Sequence, residues 1–511
     1  MKKILFSILP GGLFAIAAPV IFYVVNPDNR ILNAWNEIFG SALLTLVVWG
    51  VLYALALWAT RGLQPAGTIA TILVIGLFYL WQITLALVLG VLVGLGALRL
   101  LHRKISFFGT NILLSALSLA VAGFFGAQLV SFLLSLPSID SKNLVEPVIA
   151  SQLDTATTAE KPDIYYIILD GYGSADMLEN IYGYDNSEFI NALQALGFVV
   201  SGSSRANYPQ TVLSLGSSLN MQYLDPMSAQ MGDSNVWWLV KDALYHSQVR
   251  QFLENRGYRT VFLASGFDYT DIRDGNEFIK PFPVMLNNFD SGFLRFTNLA
   301  MLGDMGGLIP YPSYSTLRRT IRANFAALPR LASEAGPKFV FAHITAPHPP
   351  FVFDEAGNPV NPDAPFTMVD KMREIMDVPA YKQSYVAELK YVNSETIQSL
   401  MAILADSPTP PVIILQGDHG PGLYLADSAA DSCLYERFSI LNAYFLPGKQ
   451  PKTLPATITP VNTFRLLFNN YFSANFPMLP DKSYFASFYH FYDFQDITGQ
   501  VTPLCKANNQ P

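Results

Sequence analysis

Residues 163–173 read DIYYIILDGYG, an unbroken apolar run that ends in a carboxylate and a glycine-flanked turn. Continuous rather than alternating apolarity is typical of a strand that is buried on both faces of a parallel sheet. Further short apolar runs, each bounded by Gly, Pro, Asn or Asp, occupy 198–202, 260–265, 339–344, 411–417 and 442–447. Together these runs predict the strands of one sheet.

Longer segments with helical spacing alternate with these runs. They occupy 187–196, 237–255, 314–332, 381–404 and 461–471. Alternation of strands and helices predicts a layered α/β domain with a mostly parallel central sheet. We place this domain at 162–511, after a polar linker at 137–161 and an apolar region at 1–136.

The apolar region differs sharply from the rest of the chain. The chain has 511 residues and a net charge of −7, but residues 1–136 contain seven Lys and Arg against two Asp and Glu. Their charge-free stretches are 4–25, 38–60, 62–98 and 105–139. A bilayer core takes about 20 helical residues, so three of these stretches fit one span each. The 37 residues of 62–98 form either two short spans or one span with a buried excursion.

The positive charges favour five spans. With five, Lys2, Lys3, Arg61 and the cluster at 99–104 all lie on one side, as the positive-inside tendency requires. The N-terminus is then inside and everything after about residue 137 is outside. Because no Asp, Glu, Lys or Arg lies within the spans, they predict an α-helical membrane anchor rather than a transport path.

Polar residues mark the ends of three predicted strands. The first strand ends in Asp170, and the fifth is followed by Asp418 and His419. The fourth contains His343 and leads to His348. In open α/β sheets chemistry collects beyond the carboxyl ends of the strands, so these residues are predicted to share one edge. Two carboxylates and an imidazole suit Zn²⁺ or Mn²⁺.

Each of these residues also has an ordinary structural interpretation. A strand-end Asp can cap the next helix, and an Asp-His pair can lie in a turn. Glycine follows both Asp170 and His419, which allows close backbone approach, and the joint pattern favours the metal site.

A hydroxyl near such a metal is a candidate nucleophile. Thr211 follows Pro209 and precedes the helix-like VLSLGSSL. Near a helix N-terminus, backbone N–H groups would stabilise an anionic phosphoryl group. The alternative is that Thr211 only caps the helix.

Four segments carry a resemblance to a known family. They occur in the order DIYYIILDGYG, NYPQT at 207–211, HITAPHPPF at 343–351 and QGDHGPG at 416–422. The set resembles the alkaline phosphatase/sulfatase superfamily, most closely its membrane-anchored branch of lipoteichoic acid synthases and lipid A phosphoethanolamine transferases. Those proteins have five N-terminal spans followed by an extracytoplasmic sulfatase-like domain, so the resemblance covers nearly the whole chain.

The resemblance implies roles for the residues that match its motifs. Asp170 would occupy the first metal-ligand position, and Asp418 and His419 would match the later Asp-His pair. Thr211 would be the nucleophile and also a metal ligand in the resting enzyme.

Three further residues are candidates for substrate binding. His343 and His348 resemble the histidine pair of the transferases, whose second member helps to hold the substrate phosphate or a second metal. Asn207 is a candidate hydrogen-bond donor to the phosphoryl group.

Three departures leave alternatives open. The chain has no Cys/Ser-x-Pro-x-Arg segment, which argues against a formylglycine sulfatase. Its two cysteines, Cys433 and Cys505, either form a disulfide or remain thiols. No histidine follows His419 closely, so one or two metals are possible. Asp rather than Glu at position 170 is also seen in phosphodiesterase-like relatives, which leaves transfer and hydrolysis open.

The leading hypothesis is a multi-pass protein of the bacterial inner membrane with a periplasmic catalytic domain. It would move a phospholipid-derived head group, of phosphoglycerol or phosphoethanolamine type, to a surface glycan or lipid through a phospho-threonine intermediate. The alternatives are a phosphodiesterase or phosphatase and an inactive membrane scaffold with a sulfatase-like shell.

An acidic soluble domain argues against a nucleic-acid partner. Residues 281–310 are unusually apolar for a loop, which predicts either a subdomain core or a lipid-facing wall.

Overall fold

The chain divides into two compact units, each described by itself below. The first is Met1–Ser138 with Val284–Tyr311, and the second is Ile139–Pro283 with Pro312–Pro511. The computed structural model describes residues 2–25, 34–79, 106–135, 161–232, 238–282, 288–295, 297, 312–363, 366–368, 376–448, 454–455, 457–503 and 505. The predicted linker at 137–161 lies outside these residues except for its last one.

The helices, in chain order, are α1 Lys2–Val25, α2 Ala34–Thr60, α3 Leu63–Phe78, α4 Phe107–Ser135, α5 Ser187–Ala195, α6 Thr211–Asn220, α7 Asp225–Met231, α8 Trp238–Tyr245, α9 Gln248–Glu254, α10 Asn288–Arg295, α11 Tyr314–Ala332, α12 Val378–Asp406, α13 Leu434–Phe438 and α14 Thr463–Phe472. Short helical segments add Ala175–Met177, Leu178–Tyr182 and Pro460–Asn462. The strands are β1 Ile164–Leu169, β2 Val199–Val200, β3 Arg259–Leu263, β4 Glu277–Ile279, β5 Lys338–Ile344, β6 Val412–Gly417, β7 Asn442–Phe445, β8 Tyr484–Phe485 and β9 Gln495–Asp496.

Apolar helices form the first unit. In the described part of the chain, three are long and apolar enough to cross a membrane: Lys2–Val25, Ile38–Thr60 and Phe107–Leu134. Leu63–Phe78 is a shorter apolar helix. The second half of the 62–98 stretch lies outside the described residues, so the count of five spans stays a prediction.

Helices α1, α3 and α4 run in the same direction. At one end the Gln64 side chain donates to the Lys3 carbonyl, and the Asn111 amide donates to the Gln64 carbonyl at 3.0 Å. Further along, the Tyr79 hydroxyl that follows α3 donates to the Phe14 carbonyl of α1 at 2.6 Å, and the rings of Tyr23 on α1 and Phe132 on α4 lie 5.8 Å apart. The end of α3 and the start of α4 therefore lie at opposite ends of the bundle.

Helix α10 belongs to the first unit although its sequence interrupts the soluble domain. Phe289 is fully buried, and its ring lies 5.4 Å from that of Phe22 on α1. Asp290 accepts a hydrogen bond from Ser41 on α2 at 2.6 Å. This part of the apolar 281–310 segment thus packs on the apolar helices of the first unit.

A seven-stranded sheet lies at the centre of the second unit, in the order β2-β7-β6-β1-β5-β3-β4. Strands β6, β1, β5, β3 and β4 are parallel, whereas β7 is antiparallel to both of its neighbours. This confirms the predicted α/β domain with a mostly parallel sheet. All six predicted strands are present. The three-residue β4 and the separate β8–β9 hairpin were not predicted.

Strand β1 shows why its sequence is apolar throughout. Tyr165, Ile167 and Leu169 pack in a cluster that includes residues of α11 and α12. The alternate residues of β1 pack in a second cluster with residues of α9 and α14. Burying a large apolar side chain is worth about 1.5–3 kcal/mol, so a strand between two cores gains from every position.

The carboxyl ends of three neighbouring strands lie side by side. Leu169 at the end of β1 pairs with Ile344 of β5 and with Gly417 of β6. The residues that follow these strands, including Asp170 and Asp418, are therefore placed together at one edge of the sheet.

Candidate metal centre

Asp170 lies at the turn that follows β1. Its backbone N–H donates to the Ile344 carbonyl at 2.9 Å, which continues the ladder by one residue. Gly171 then takes a left-handed conformation with φ +71°, which glycine adopts without a steric penalty. The Tyr385 hydroxyl donates to the Gly171 carbonyl at 2.9 Å and holds the turn against α12.

Asp418 and His419 follow β6 at the same edge. The Asp418 Oδ1 accepts from the backbone N–H groups of Gly171 at 3.1 Å and of His419 at 2.9 Å. The His419 Nδ1 lies 3.0 Å from the Gly420 carbonyl, to which it must donate. This hydrogen bond fixes the tautomer and leaves Nε2 as the lone-pair nitrogen. A Cβ on Gly420 would lie 2.0 Å from the Glu436 carbonyl, so this close approach requires glycine.

Thr211 is the first residue of α6 and is 7% exposed. Gln210, with extended φ and ψ of −112° and 141°, occupies the cap position. Thr211 is therefore not the cap of this helix. Its Oγ1 lies 3.1 Å from the His419 Nε2.

The four predicted ligand residues converge. The His419 Nε2 lies 3.6 Å from the Asp170 Oδ1 and 3.3 Å from the Asp418 Oδ2. Ligand atoms at about 2.0–2.2 Å from one tetrahedral ion lie about 3.3–3.6 Å apart, which these distances match. Both carboxylate oxygens are buried without a hydrogen bond. Unpaired buried acceptors around one point fit a cation, because burying them otherwise costs free energy.

Histidines surround Asp170 and set its charge. Burial alone would raise its pKa, but His348, His343 and His419 lower it, and the net pKa lies below its ordinary value. An ionised carboxylate at this edge of the sheet suits a metal ligand.

The two remaining histidines occupy different positions. His343 is fully buried, with its Nδ1 2.8 Å from the Thr270 hydroxyl and its Nε2 3.2 Å from the Asp170 Oδ2. It therefore lies against the Asp170 carboxylate in the protein interior rather than on an open surface suited to substrate. His348 is 8% exposed, its Nδ1 donates to the Pro349 carbonyl at 2.6 Å, and its ring lies 6.2 Å from that of His419.

The side chain of Asn207 is occupied by backbone groups. Its amide nitrogen donates to the Lys482 carbonyl and its oxygen accepts from the Val461 N–H, both at 2.8 Å. Because it is also fully buried, we do not retain it as a phosphoryl contact. It anchors the loop before Thr211 to the C-terminal segment of the second unit.

That C-terminal segment makes further contacts with the same loop. The Gln210 amide donates to the Ala486 carbonyl at 2.6 Å, and Tyr208 stacks on Tyr484 at 5.7 Å.

The structure also joins Cys433 and Cys505 in a disulfide, which resolves the alternatives left by the sequence.

Sequence reasoning missed two buried charged residues near these loops, Glu388 and Arg437. The Glu388 Oε1 accepts from the Val352 N–H at 3.0 Å, in the loop that follows His348. Glu388 lies in the predicted helix 381–404, where a charged residue among apolar ones was the available signal. Arg437 lies in a five-residue helix that the sequence analysis did not predict.

Comparison with known proteins assigns the family. A model of the family described as Sulfatase matches residues 162–464, more than half of the chain. No curated protein gives a significant match.

Several solved structures are similar at low identity. The C-terminal periplasmic domain of EcEptC from Escherichia coli, in complex with Zn, is 12% identical with a TM-score of 0.44, covering 70% of this chain and 98% of that chain. The integral membrane lipooligosaccharide phosphoethanolamine transferase A from Neisseria meningitidis is 13% identical with a TM-score of 0.41, covering 89% and 94%. The periplasmic domain of EptC from Campylobacter jejuni is 11% identical with a TM-score of 0.38, covering 62% and 90%.

Similarities at this level carry no argument about activity. The family match is independent of them and spans β1, the Thr211 helix and the Asp418–His419 turn. The chain therefore belongs to the sulfatase family of enzymes.

Proposed function

We propose that this protein is a metal-dependent phosphotransferase. It would move a phospholipid-derived head group, of phosphoglycerol or phosphoethanolamine type, to a glycan or lipid acceptor at the cell surface. The observation that carries the proposal is the Thr211 hydroxyl, 3.1 Å from the His419 Nε2 at the start of a buried helix. A hydroxyl at that place, beside two unpaired carboxylate oxygens, is suited to attack phosphorus.

We assign Asp170, Thr211, Asp418 and His419 as the residues that hold a Zn²⁺ or Mn²⁺ ion. When bound, the ion supplies a lowered pKa for the hydroxyl and neutralises charge on the phosphoryl oxygens. The Gly420 carbonyl accepts from the His419 Nδ1, so that in the neutral imidazole Nε2 carries the lone pair that would bind the metal. His343, whose Nε2 lies 3.2 Å from the Asp170 Oδ2, favours the ionised form of that carboxylate.

Thr211 carries the covalent step. Its Oγ forms a bond to phosphorus while the bond from phosphorus to the donor alcohol oxygen breaks, and the leaving alcohol gains the proton that Thr211 loses. The hydroxyl oxygen of the acceptor then bonds to phosphorus, and the Thr211 oxygen leaves and regains a proton. N–H groups of the first turn of α6 stabilise the charge on the phosphoryl oxygens. We expect His348, at the rim of the site, to contact the donor phosphate.

The membrane helices and the disulfide support the proposed location. Three helices long enough to cross a bilayer suit a lipid donor, since they hold the chain at the membrane. A disulfide between Cys433 and Cys505 forms in an oxidising compartment. We therefore place the protein in a bacterial inner membrane, with several spans and the second unit in the periplasm.

A head-group-labelled phospholipid tests the proposal. The full chain in lipid nanodiscs, with lipid acceptor present, should place the label on the acceptor. Thr211→Ala should lower this transfer on the order of 10³-fold, because it removes the proposed nucleophile. The control is Thr396→Ala, which removes another buried hydroxyl from α12.

Other outcomes would select the alternatives. Label released to water by the wild type, and not by Thr211→Ala, would identify a hydrolase. Wild-type protein that binds no stoichiometric Zn²⁺ or Mn²⁺ and turns over no phosphoester would indicate a scaffold.

A further inference from the structure

Arg437 is a buried arginine that the sequence pattern did not single out. It lies in α13 and is 1% exposed. Its Nε donates to the Pro209 carbonyl at 2.7 Å, and its Nη1 donates to the Gly420 carbonyl at 3.1 Å. One guanidinium thus joins two loops that are distant in the sequence.

Both carbonyls lie beside residues of the candidate site. Pro209 is two residues before Thr211, and Gly420 directly follows His419. The Gly420 carbonyl also accepts from the His419 Nδ1 at 3.0 Å, so the group that fixes the imidazole tautomer is itself held by Arg437. The backbone reinforces this contact, since the Gly420 N–H donates to the Arg437 carbonyl at 2.7 Å.

We propose that Arg437 is a positioning residue that sets the separation of Thr211 and His419 by holding the Pro209 and Gly420 carbonyls on one planar guanidinium. Burying a guanidinium costs desolvation free energy, so its placement calls for a compensating gain. A lysine could hold one of these carbonyls but lacks the rigid fork that holds both. The effect on metal binding rests on the proposed function; the effect on the two loops does not.

The chain contains a matched control in Arg465. It is 4% exposed, its Nε donates to the Met221 carbonyl and its Nη1 to the Pro477 carbonyl, both at 2.7 Å. Met221 directly follows α6, whereas Thr211 begins it. Arg465 therefore makes the same type of bridge at the end of the helix away from Thr211.

The test compares Arg437→Lys and Arg465→Lys in the full chain, in nanodiscs. Hydrogen–deuterium exchange should become faster in R437K at residues 209–213 and 418–421. In R465K it should become faster only around residues 221 and 477. Titration with Co²⁺ should give an affinity about 10–100-fold lower in R437K, with a changed d–d absorption spectrum, and an unchanged affinity and spectrum in R465K.

The two readouts separate failure of the inference from failure of the proposed function. Wild-type exchange rates at both loops in R437K would overturn the positioning role, whatever the metal data show. If wild-type protein binds no Co²⁺, the proposed function fails, and the exchange data still decide the role of Arg437. Arg437→Gln replaces R437K if the lysine variant does not fold. Failure of both variants to fold would assign Arg437 to global stability and overturn the local role.

Discussion

Strand β1 and helix α2 are both almost entirely apolar, yet they are surrounded differently. All six residues of β1 are buried within the protein. In α2, only 11% of the most apolar window is buried, and Val47 and Val51 are 56% and 55% exposed. Apolar composition alone therefore indicates removal from water but not what replaces the water. For β1 the replacement is two protein cores, and for α2 we infer that it is lipid.

The distribution of polar groups separates the two regions further. In the described helices of the first unit, Thr45 donates to the Ala15 carbonyl at 2.7 Å and Ser41 donates to Asp290 at 2.6 Å. At the end of β1, by contrast, buried acceptors such as the Asp170 Oδ1 lack a hydrogen bond. Two buried carboxylate oxygens without a hydrogen bond around one point suit a bound cation, whereas a paired hydroxyl such as that of Thr45 stabilises packing.

The largest expected effect tests those unsatisfied acceptors. Asp418→Asn should lower phosphoester turnover on the order of 10³-fold and reduce bound metal below one ion per chain, because a neutral amide is a weaker ligand. Metal analysis and turnover on the same sample measure both. Asp377→Asn, at the exposed cap of α12, is the matched control and should leave both unchanged. Full metal occupancy in the Asp418 variant would remove Asp418 from the proposed ligand set.

The next effect compares buried with lipid-facing apolar residues. Ile414→Ala in β6 should lower the free energy of unfolding of the second unit by about 2–5 kcal/mol, because it leaves a cavity in a fully buried position. Val51→Ala on α2 should change stability by less than about 0.5 kcal/mol. Thermal unfolding of both variants in the same detergent measures the difference. Equal effects would contradict the distinction drawn between the two regions.

A smaller effect concerns the buried Glu388. Burial raises its pKa from 4.5 to about 8. The folded state thus binds a proton that the unfolded state has released, so the free energy of unfolding should fall as pH rises from about 5 to 8. Glu388→Gln keeps an acceptor for the Val352 N–H and should reduce this fall by on the order of 1–3 kcal/mol. Melting curves at pH 6 and 8 test it, with the exposed Glu355→Gln as control.

The smallest effect concerns a surface ion pair. Lys390 lies 2.8 Å from Glu355, and both side chains are exposed. Lys390→Ala should cost less than about 0.5 kcal/mol, since solvent screens such pairs. A loss comparable to that of Ile414→Ala would contradict the prediction that the exposed Lys390–Glu355 pair contributes little to stability.

Much of the second unit could be predicted because its strands are buried on both faces. A two-sided core requires an unbroken apolar run, and such runs at 163–170, 339–344 and 411–417 are visible without tertiary information. Strand β4 has three half-buried residues and lacks that signal. The β8–β9 hairpin is equally short, with two residues in each strand.

The candidate site could be predicted where a residue follows a strand, and not where its role depends on distant partners. Asp170, Asp418 and His419 follow from the alignment of strand ends. The proximity of His343 to Asp170 depends on β5 lying beside β1 in the register that pairs His343 with Ile168. Arg437 acts through carbonyl groups that no sequence pattern marks. For Asn207, the backbone partners at residues 461 and 482 lie far along the chain.

The return of α10 to the membrane helices has a practical consequence for protein production. A fragment that begins after residue 138 would still contain residues 284–311, but Phe289 and Phe293 would lose the Phe22 ring that they pack against. Such a fragment would expose an apolar surface to water and would aggregate. Replacing 284–311 with a short hydrophilic connection is therefore the sensible route to a secreted, crystallisable version of this enzyme.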